Sequence, residues 1–362
     1  MVELSRSQQM AIDHITNYAR NHSLEAKERI KHVLKMSNIP SDIFNKAVSS
    51  LKANARIGLH FHPDRPDSSM KSVAEALVEQ GIYRSQFETL ISNASLSAFP
   101  GGDRDLWENR LFGGAYQTEG TTDNQRPKYG ALNVMLHPDG PAPRFGSCYF
   151  LLSPKVSHRS TFTYLDSHQE PKEKGSYEEF DMILAALLEE TFSRESAIGE
   201  RDLTPPKLIN HLQVNLKKKV SDLIKEEPNR NLDHYIEAQV HGDISLKEDV
   251  EVLVADPSFK GTRIGKIVEK LCHMYSIDLY WHRGFVLAVD EVPSDYRGPT
   301  MPSLAARIAK NNCINASVIG SAVMDLYRNP QNWKERGTYK EVLQELKLLW
   351  HVLVKYGKPN TE

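Results

Sequence analysis

A carboxylate and an amide lie two residues apart in the segment 235–241, where polar and apolar side chains alternate. Successive side chains of a β-strand point to opposite faces, so Glu237 and Gln239 share one face. The other face is apolar and carries Ile236, Ala238 and Val240. A carboxylate beside an amide suits the hydroxyls of a ribose and positive charge developing on a sugar carbon. A solvated strand face would have the same alternation, but His241 at the strand end favours the functional interpretation.

A second candidate site is metal-binding. His60, His62 and Asp64 follow one another at alternate positions. If residues 56–62 form a strand, both imidazoles lie on one face and could meet one metal. His241 and Asp243 are the best candidates to complete the site, and mixed nitrogen and oxygen ligands suit zinc or manganese. The alternative is that these side chains hydrogen-bond a turn.

A third group of residues suits a phosphate. Arg84 and Ser85 precede a glycine-rich stretch that contains Gly101, Gly102 and Arg104. Backbone amides in such turns, with an arginine nearby, bind phosphate or pyrophosphate. A loop glycine that serves backbone geometry alone has the same appearance.

A polar strand is the last candidate. In residues 159–165 the alternation places Ser160 on one face and Thr161 on the other. Hydroxyls on a strand can line a ligand site, and an edge strand with a polar outer face has the same pattern.

The elements that carry these residues indicate an α+β fold. Helical spacing of apolar residues predicts helices over 5–54, 69–80, 177–195, 206–226, 263–274, 302–328 and 338–356. Alternation predicts strands at 56–62, 146–153, 159–165, 235–240, 250–254, 277–282 and 285–289. Helices and strands do not alternate regularly, which favours α+β over a doubly wound fold. Residues 82–150 are rich in glycine, proline and aromatic residues and are expected to form functional loops.

Composition narrows the class of protein. The 362 residues contain 45 Lys+Arg and 47 Asp+Glu, giving a net charge of -2, so no basic excess indicates a nucleic-acid ligand. Three distant cysteines support neither a disulfide framework nor a cysteine zinc site. The chain has no apolar signal core and no membrane span. We therefore expect a cytoplasmic protein, or one exported without a cleaved signal peptide.

Several motifs together resemble a mainly bacterial family of unassigned function. They are HFHPDR at 60–65, YRSQFET at 83–89, GGDR at 101–104, FGGAY at 112–116, YGALN at 129–133 and YIEAQVHG at 235–242. The likeness covers about 55–310. The tripeptide at 62–64 also matches that of J-domains, where it lies between two helices. Here the preceding residues predict a strand.

The order of Arg84, the run 160–163 and Glu237 is similar to the Arg, Ser-Thr-Ser and Glu triad of ADP-ribosyltransferases. This resemblance implies a mainly antiparallel sheet core with flanking helices. It also implies that Arg84 holds the phosphates of NAD, that Ser160 and Thr161 support the ribose pocket, and that Glu237 assists glycosidic cleavage. The acidic residue comes first in Glu-Ala-Gln rather than last, so Gln239 stands where that family has its catalytic Glu.

The sequence therefore supports three hypotheses. The first is an NAD-dependent ADP-ribosyltransferase-like enzyme of the effector or toxin kind, which uses NAD as substrate and modifies an unknown protein acceptor. The second is a hydrolase whose divalent metal is held by His60, His62 and Asp64. The third is a binding module without catalysis. We expect three regions: a helical accessory region at 1–54, an α+β catalytic-like domain at 55–300, and C-terminal helices at 301–362 packed on it.

Overall fold

A computed structural model describes residues 3–67, 69–91 and 98–360. Fourteen α-helices are present in these residues: α1 Arg6–Asn21, α2 Ser23–Met36, α3 Ser41–Asn54, α4 Val73–Gln80, α5 Gln86–Thr89, α6 Asp103–Phe112, α7 Asp181–Arg194, α8 Pro205–Val214, α9 Val220–Leu223, α10 Leu246–Asp249, α11 Arg263–Tyr275, α12 Met301–Ile308, α13 Ala316–Arg328 and α14 Tyr339–Tyr356. The same residues contain fourteen strands: β1 Ile57–Phe61, β2 Ile82–Tyr83, β3 Lys128–Leu132, β4 Cys148–Leu152, β5 Ser160–Tyr164, β6 Lys174–Ser176, β7 Ser196–Ala197, β8 Glu200–Arg201, β9 Ile236–Val240, β10 Ile244–Ser245, β11 Val250–Ala255, β12 Asp278–Trp281, β13 Leu287–Ala288 and β14 Cys313–Ile314.

Eight strands form one sheet in the order β12-β11-β4-β1-β3-β9-β5-β6. The β11–β12 pair is parallel, and the other pairs described in this sheet are antiparallel. Three two-stranded ribbons, β2–β10, β7–β8 and β13–β14, lie outside it. The predicted α+β class with a mainly antiparallel sheet and flanking helices is confirmed.

Strand β9 has the two faces that its sequence predicts. Ile236, Ala238 and Val240 belong to the main hydrophobic cluster. Glu237 and Gln239 lie on the opposite face but are also buried, at 5% and 0% exposure. The polar face is therefore covered by other parts of the protein and is not a solvated surface.

The terminal helices share one core with the sheet. Ile30 of α2 and Leu51 of α3 lie in the same hydrophobic cluster as Ala238 of β9 and Leu349 of α14. Helix α2 packs against α7, and α3 packs against α8. The first three helices are thus integral to the core by packing, whereas the sequence led us to expect an accessory region at 1–54.

Residues 98–150 of the glycine-rich stretch contain more regular structure than expected. They include β3, which lies between β1 and β9 near the middle of the sheet. Gly130 permits this close approach, because an added Cβ would lie 2.6 Å from the carbonyl oxygen of Gly58. The glycine in the middle of β3 is therefore what lets the strands pack.

Two predicted helices are interrupted. The region 206–226 divides into α8 and α9, and 302–328 divides into α12 and α13 with β14 between them. Asn315 caps α13 by accepting a hydrogen bond from the backbone amide of Val318 at 2.9 Å. An asparagine in this position starts a new helix, so the apolar periodicity on both sides belongs to two elements.

None of the helices that the structure describes is long and apolar enough to cross a bilayer.

Candidate functional site

A cavity of about 730 Å³ opens on the polar face of the central strands. Six cationic side chains contribute to its lining: Arg65, Arg84, Arg104, Lys128, Arg144 and Lys347. Aromatic rings contribute as well, among them Trp107, Tyr129 and Tyr235, and so do the carboxylates of Asp166 and Glu237. Cavities of this volume with convergent polar groups are typical of small-molecule sites, and the charges here suit an anionic ligand with flat rings.

Glu237 projects from the middle of the sheet into this cavity. Its backbone pairs with Ala131 of β3 on one side and Thr163 of β5 on the other. Burial, followed by the nearby Asp166 carboxylate, raises the pKa of Glu237 to about 8. A carboxyl group whose pKa lies near neutrality can take up or release a proton under physiological conditions.

A chain of hydrogen bonds leads through the protein to the Glu237 carboxylate. The Gln239 amide donates to Glu237 Oε1 at 2.8 Å, and the Thr161 hydroxyl donates to Gln239 Oε1 at 2.8 Å. His241 Nε2 lies 3.0 Å from Thr161 Oγ1, and His241 Nδ1 lies 2.5 Å from the Tyr116 hydroxyl. These side chains are almost fully buried, so their orientations are fixed by one another.

The donors in this chain all point toward Glu237. Burial, then Lys128 and Arg159, lower the pKa of His241 to about 3, so its ring is neutral. The single hydroxyl hydrogen of Thr161 is directed to Gln239, which leaves Thr161 to accept from His241 Nε2–H. His241 Nδ1 then accepts from Tyr116. Gln239 is thereby held with its amide nitrogen, rather than its oxygen, against Glu237.

Asp166 is a second carboxylate on the cavity wall. It accepts hydrogen bonds from the Tyr235 hydroxyl at 2.8 Å and from the His168 backbone amide at 3.1 Å. Burial works to raise the pKa of Asp166, but these hydrogen bonds outweigh it and the pKa is lowered. The pKa values of the two neighbouring carboxylates are therefore shifted in opposite directions, so that Asp166 is ionised and Glu237 is near its titration point.

Arg104 lies between two aromatic rings of the cavity. Its guanidinium is 4.6 Å from the Trp107 ring centroid and 4.7 Å from that of Tyr129. The Tyr129 hydroxyl donates to Glu108 at 2.8 Å, and Glu108 in turn pairs with Arg126. Arg104 is 4% exposed, so this arrangement holds a buried positive charge in place beside the cavity.

Arg84 and Ser85 lie at the rim and are tied to local structure. The Arg84 guanidinium donates to Gln80 at 2.5 Å and to Glu88 at 2.7 Å, and its side chain is 42% exposed. Ser85 caps α5 in a reciprocal pair with Glu88 and donates to the Asp123 carbonyl. Both residues line the cavity, but their polar groups already have partners in the protein.

Other predicted ligand residues lie away from the cavity lining. Ser160 donates to the Val156 carbonyl on the opposite face of β5, which follows from the strand alternation. Gly101 donates to Asp105, and Gly102 caps α6. Thr161, Gln239 and His241 lie behind Glu237 rather than on the cavity surface. They were expected to contact the ligand, but in the structure they form the hydrogen-bond chain that holds Glu237.

The metal site expected at His60, His62 and Asp64 does not form. The ring of His60 is fully engaged, because Nδ1 faces the Gly146 carbonyl at 3.2 Å and Nε2 accepts from the Ala142 amide at 3.2 Å. Asp64 is paired with Arg65 at 3.1 Å. Across residues 3–67, 69–91 and 98–360, no group of three or more His, Cys, Asp or Glu side chains is placed to hold a metal ion.

Lys347 was missed by the sequence analysis, and Arg144 and Asp166 were not predicted as site residues. Lys347 comes from α14, in a region that the sequence indicated only as packing helices. Its one local signal is a lysine within an otherwise apolar helical stretch, and such a lysine more often lies at the surface. Only the packing of α14 against α12, α13 and residues 143–145 brings it to the cavity.

The chain belongs to the family DUF3626, described as proteins of unknown function, whose model matches residues 56–356. The match begins just before β1 and ends with α14, so it includes the strands and helices that line the cavity. The family of unassigned function expected from the motifs is confirmed. No curated protein matches the chain.

Proposed function

We propose that this protein is an ADP-ribosyltransferase-like enzyme that binds NAD in the cavity and breaks the bond between nicotinamide and ribose. The observation that carries the proposal is the buried carboxylate of Glu237 within a cavity of cations and aromatic rings. The order of motifs also resembles the ADP-ribosyltransferase triad, with Glu237 as the acidic residue two positions before the place where that family has its catalytic Glu.

The cavity chemistry supports a dinucleotide as ligand. The phosphates of NAD need cations, and several cationic side chains line the cavity. Its two heterocycles need flat apolar surfaces, which Trp107 and Tyr129 offer. The volume of about 730 Å³ is within the range in which proteins bury ligands of this size.

Glu237 has the environment needed to stabilise a sugar cation. When the glycosidic bond breaks, its electron pair leaves with the nicotinamide nitrogen, and positive charge develops on the ribose. An ionised Glu237 stabilises that charge most strongly, because water is excluded from its surroundings. The bound nicotinamide ring is itself cationic and lowers the pKa of Glu237 from about 8, so substrate binding favours the ionised form.

The acceptor completes the reaction. A nucleophile attacks the ribose carbon, forms the new bond and loses its proton to solvent or to a base. If the nucleophile is a side chain of another protein, the product is an ADP-ribosylated protein. If it is water, the product is free ADP-ribose. Release of nicotinamide is common to both and is therefore the measurement that tests the proposal.

The test compares wild type with Glu237→Gln and Glu251→Gln in a chromatographic assay of nicotinamide release from NAD. Glu251 pairs with Arg56 outside the cavity, so it is a matched control for the loss of a carboxylate. We expect wild type and Glu251→Gln to release nicotinamide, and Glu237→Gln to be slower by about 10²-fold or more. Radiolabelled NAD added with a cell extract then distinguishes protein from water as acceptor.

Two results would overturn the proposal. Wild type that binds NAD but releases no nicotinamide, with or without an extract, would indicate a binding module. Equal turnover of Glu237→Gln and wild type would place the chemistry elsewhere.

A further inference from the structure

Five basic side chains gather at one side of the cavity. Arg104, Arg144 and Lys347, which we call the basic wall, line the cavity itself. Arg297 and His351 lie behind them. Arg297 is close enough to act electrostatically on Lys347, and His351 is close enough to be affected by Arg144, Arg297 and Lys347. The three residues of the basic wall come from three separate parts of the chain: α6, the segment before β4, and α14.

The carboxylates around the basic wall are shared among several cations. Arg144 pairs with Asp233 at 2.6 Å, and Arg297 approaches the same carboxylate at 3.7 Å. Asp166 acts on Lys347 but is already held by Tyr235 and His168. Asp233 is also half exposed, so solvent screens part of its charge. Arg144 and Arg297 therefore share one partly screened carboxylate.

The crowding is visible in the properties of Lys347. Burial, followed by Arg144, Arg297 and Arg104, lowers its pKa to about 8. His351 is 1% exposed, and among the residues that the structure describes no hydrogen bond of standard geometry reaches its ring nitrogens. Burial and the same two arginines lower the pKa of His351 to about 2. Clustered cations that depress one another's protonation are stabilised when an anion binds among them.

We propose that the basic wall of Arg104, Arg144 and Lys347 is a phosphate-binding subsite that takes the pyrophosphate of a dinucleotide. The identity of the ligand as a dinucleotide rests on the proposed function, but the affinity of the basic wall for an anion does not. The subsite assigns phosphate binding to side chains other than Arg84, the residue that the triad resemblance implies. Arg84 is at the rim, is 42% exposed and is tied to Glu88, whereas Arg104 is buried.

Lys347 and Arg144 complement each other as phosphate ligands. A guanidinium offers a planar fork to two phosphate oxygens, while an ammonium provides a compact charge. Arg104, clamped between Trp107 and Tyr129, loses little side-chain freedom on binding because it is already fixed. Preorganised charges of this kind contribute more to affinity than mobile surface charges.

The test measures binding of inorganic pyrophosphate by isothermal titration calorimetry to the full chain and to single variants. We expect Lys347→Met and Arg144→Gln each to weaken binding by about 10-fold or more, because each removes a charge-assisted contact. Arg84→Gln is the matched control and is expected to change the affinity by less than about 3-fold. Thermal melting establishes whether each variant is folded. If Lys347→Met or Arg144→Gln does not fold, the other of these two variants is sufficient for the test.

A second measurement follows the protonation of Lys347. The pH dependence of its reaction with an amine-specific reagent, read by mass spectrometry, gives the pKa with and without pyrophosphate. We expect the midpoint to move upward when pyrophosphate is bound, since an anion favours the charged amine. A purely structural lysine would show no such shift.

The outcomes separate this inference from the proposed function. Pyrophosphate binding that depends on Lys347 in a protein that never releases nicotinamide would uphold the subsite and reject the NAD reaction. Nicotinamide release that is unaffected by Lys347→Met and Arg144→Gln but lost in Arg84→Gln would overturn the subsite and leave the reaction in place. No binding of pyrophosphate by wild type at millimolar concentration would also overturn it.

Discussion

The side-chain amide of Gln239 donates a hydrogen bond of 2.8 Å to the carboxylate of Glu237, two residues earlier on the same strand. This contact decides the orientation of the Glu237 side chain and stabilises its ionised form, since a donor favours a charged acceptor. The amide is in turn oriented by Thr161 and His241. Gln239 is thus a positioning residue for the carboxylate that faces the cavity.

Gln239→Met should lower the rate of nicotinamide release by on the order of 10-fold or more, because the variant loses the donor but keeps the length of the side chain. It should also move the pH optimum upward, since the ionised form of Glu237 loses a stabilising contact. Steady-state kinetics across pH test both effects. Gln213→Met, which breaks a contact with Ile43 far from the cavity, is the matched control. An unshifted pH profile with a normal rate would remove Gln239 from this role.

The pH dependence of the wild type should reflect Glu237. Its pKa is raised to about 8, so the free protein at pH 7 holds this group mostly protonated. Under the proposed function the ionised form is the active one, so kcat/KM should rise with pH and level off above about pH 8. The profile of kcat should have a lower midpoint, because the cationic substrate favours ionisation. A kcat/KM profile that is flat from pH 6 to 9 would contradict this assignment.

Stability should respond to the same group. Glu237 has its ordinary pKa in the unfolded chain and a raised pKa in the folded one, so the folded state holds an extra proton between the two values. The free energy of unfolding therefore falls as pH rises from about 4.5 to about 8 through this group. Glu237→Gln removes the effect and should gain stability relative to wild type over that window, by on the order of a few kcal/mol.

Denaturant titrations at several pH values measure this difference, with Glu251→Gln as the baseline for a lost carboxylate. The advantage of Glu237→Gln should be absent below about pH 4.5 and constant above about pH 8. A difference that does not change with pH would mean that Glu237 titrates normally in the folded state.

Removal of metal should have no effect. His60 uses both ring nitrogens within the protein, and Asp64 is paired with Arg65, so a metal would have to break these contacts. We expect metal analysis of purified protein to give less than stoichiometric zinc or manganese, and prolonged dialysis against a chelator to leave the melting curve unchanged. One equivalent of metal that is lost in His62→Ala would restore the hydrolase hypothesis.

Deletion of residues 1–54 should destabilise the protein strongly. It removes the buried side chains of α2 and α3 from the main cluster, and each buried leucine or isoleucine contributes about 1.5–3 kcal/mol. A point variant makes a finer test: Leu51→Ala should cost about 2–5 kcal/mol. Leu24→Ala, at a position 76% exposed, should stay within about 0.5 kcal/mol. Chemical denaturation followed by circular dichroism measures all three, and a truncated chain as stable as the full one would show that these helices are accessory.

The sequence predicted the structure correctly where the feature in question lies within a single strand. The alternation around Glu237 predicts a polar and an apolar face, and the structure has both. The same reasoning separates Ser160 from Thr161, and only Thr161 faces the network behind Glu237. Local periodicity is sufficient in these cases because the property in question, the face of a strand, is itself local.

Local reasoning failed where residues from distant segments meet. The sequence of β3 looks like a loop because it contains Gly130. The glycine is required because the backbone of Gly58 lies against it, and the sequence alone does not show that these two residues are neighbours. Lys347 becomes part of the cavity only through packing of α14. The histidines at 60 and 62 have metal-like spacing, but the segment 142–147 decides their role. Its backbone occupies both ring nitrogens of His60, and the Ser147 hydroxyl contacts Nδ1 of His62.

The position of α14 has a consequence for how the protein is made. Glu237 lies in β9, between strands from earlier parts of the chain, while one side of its cavity is closed by a helix that is synthesised much later. A nascent chain that ends before α14 exposes the apolar surface that Leu346, Leu349 and Leu353 later cover, and such surface promotes aggregation. The cavity is therefore completed, and the apolar surface covered, in the same late step, after α14 has emerged from the ribosome.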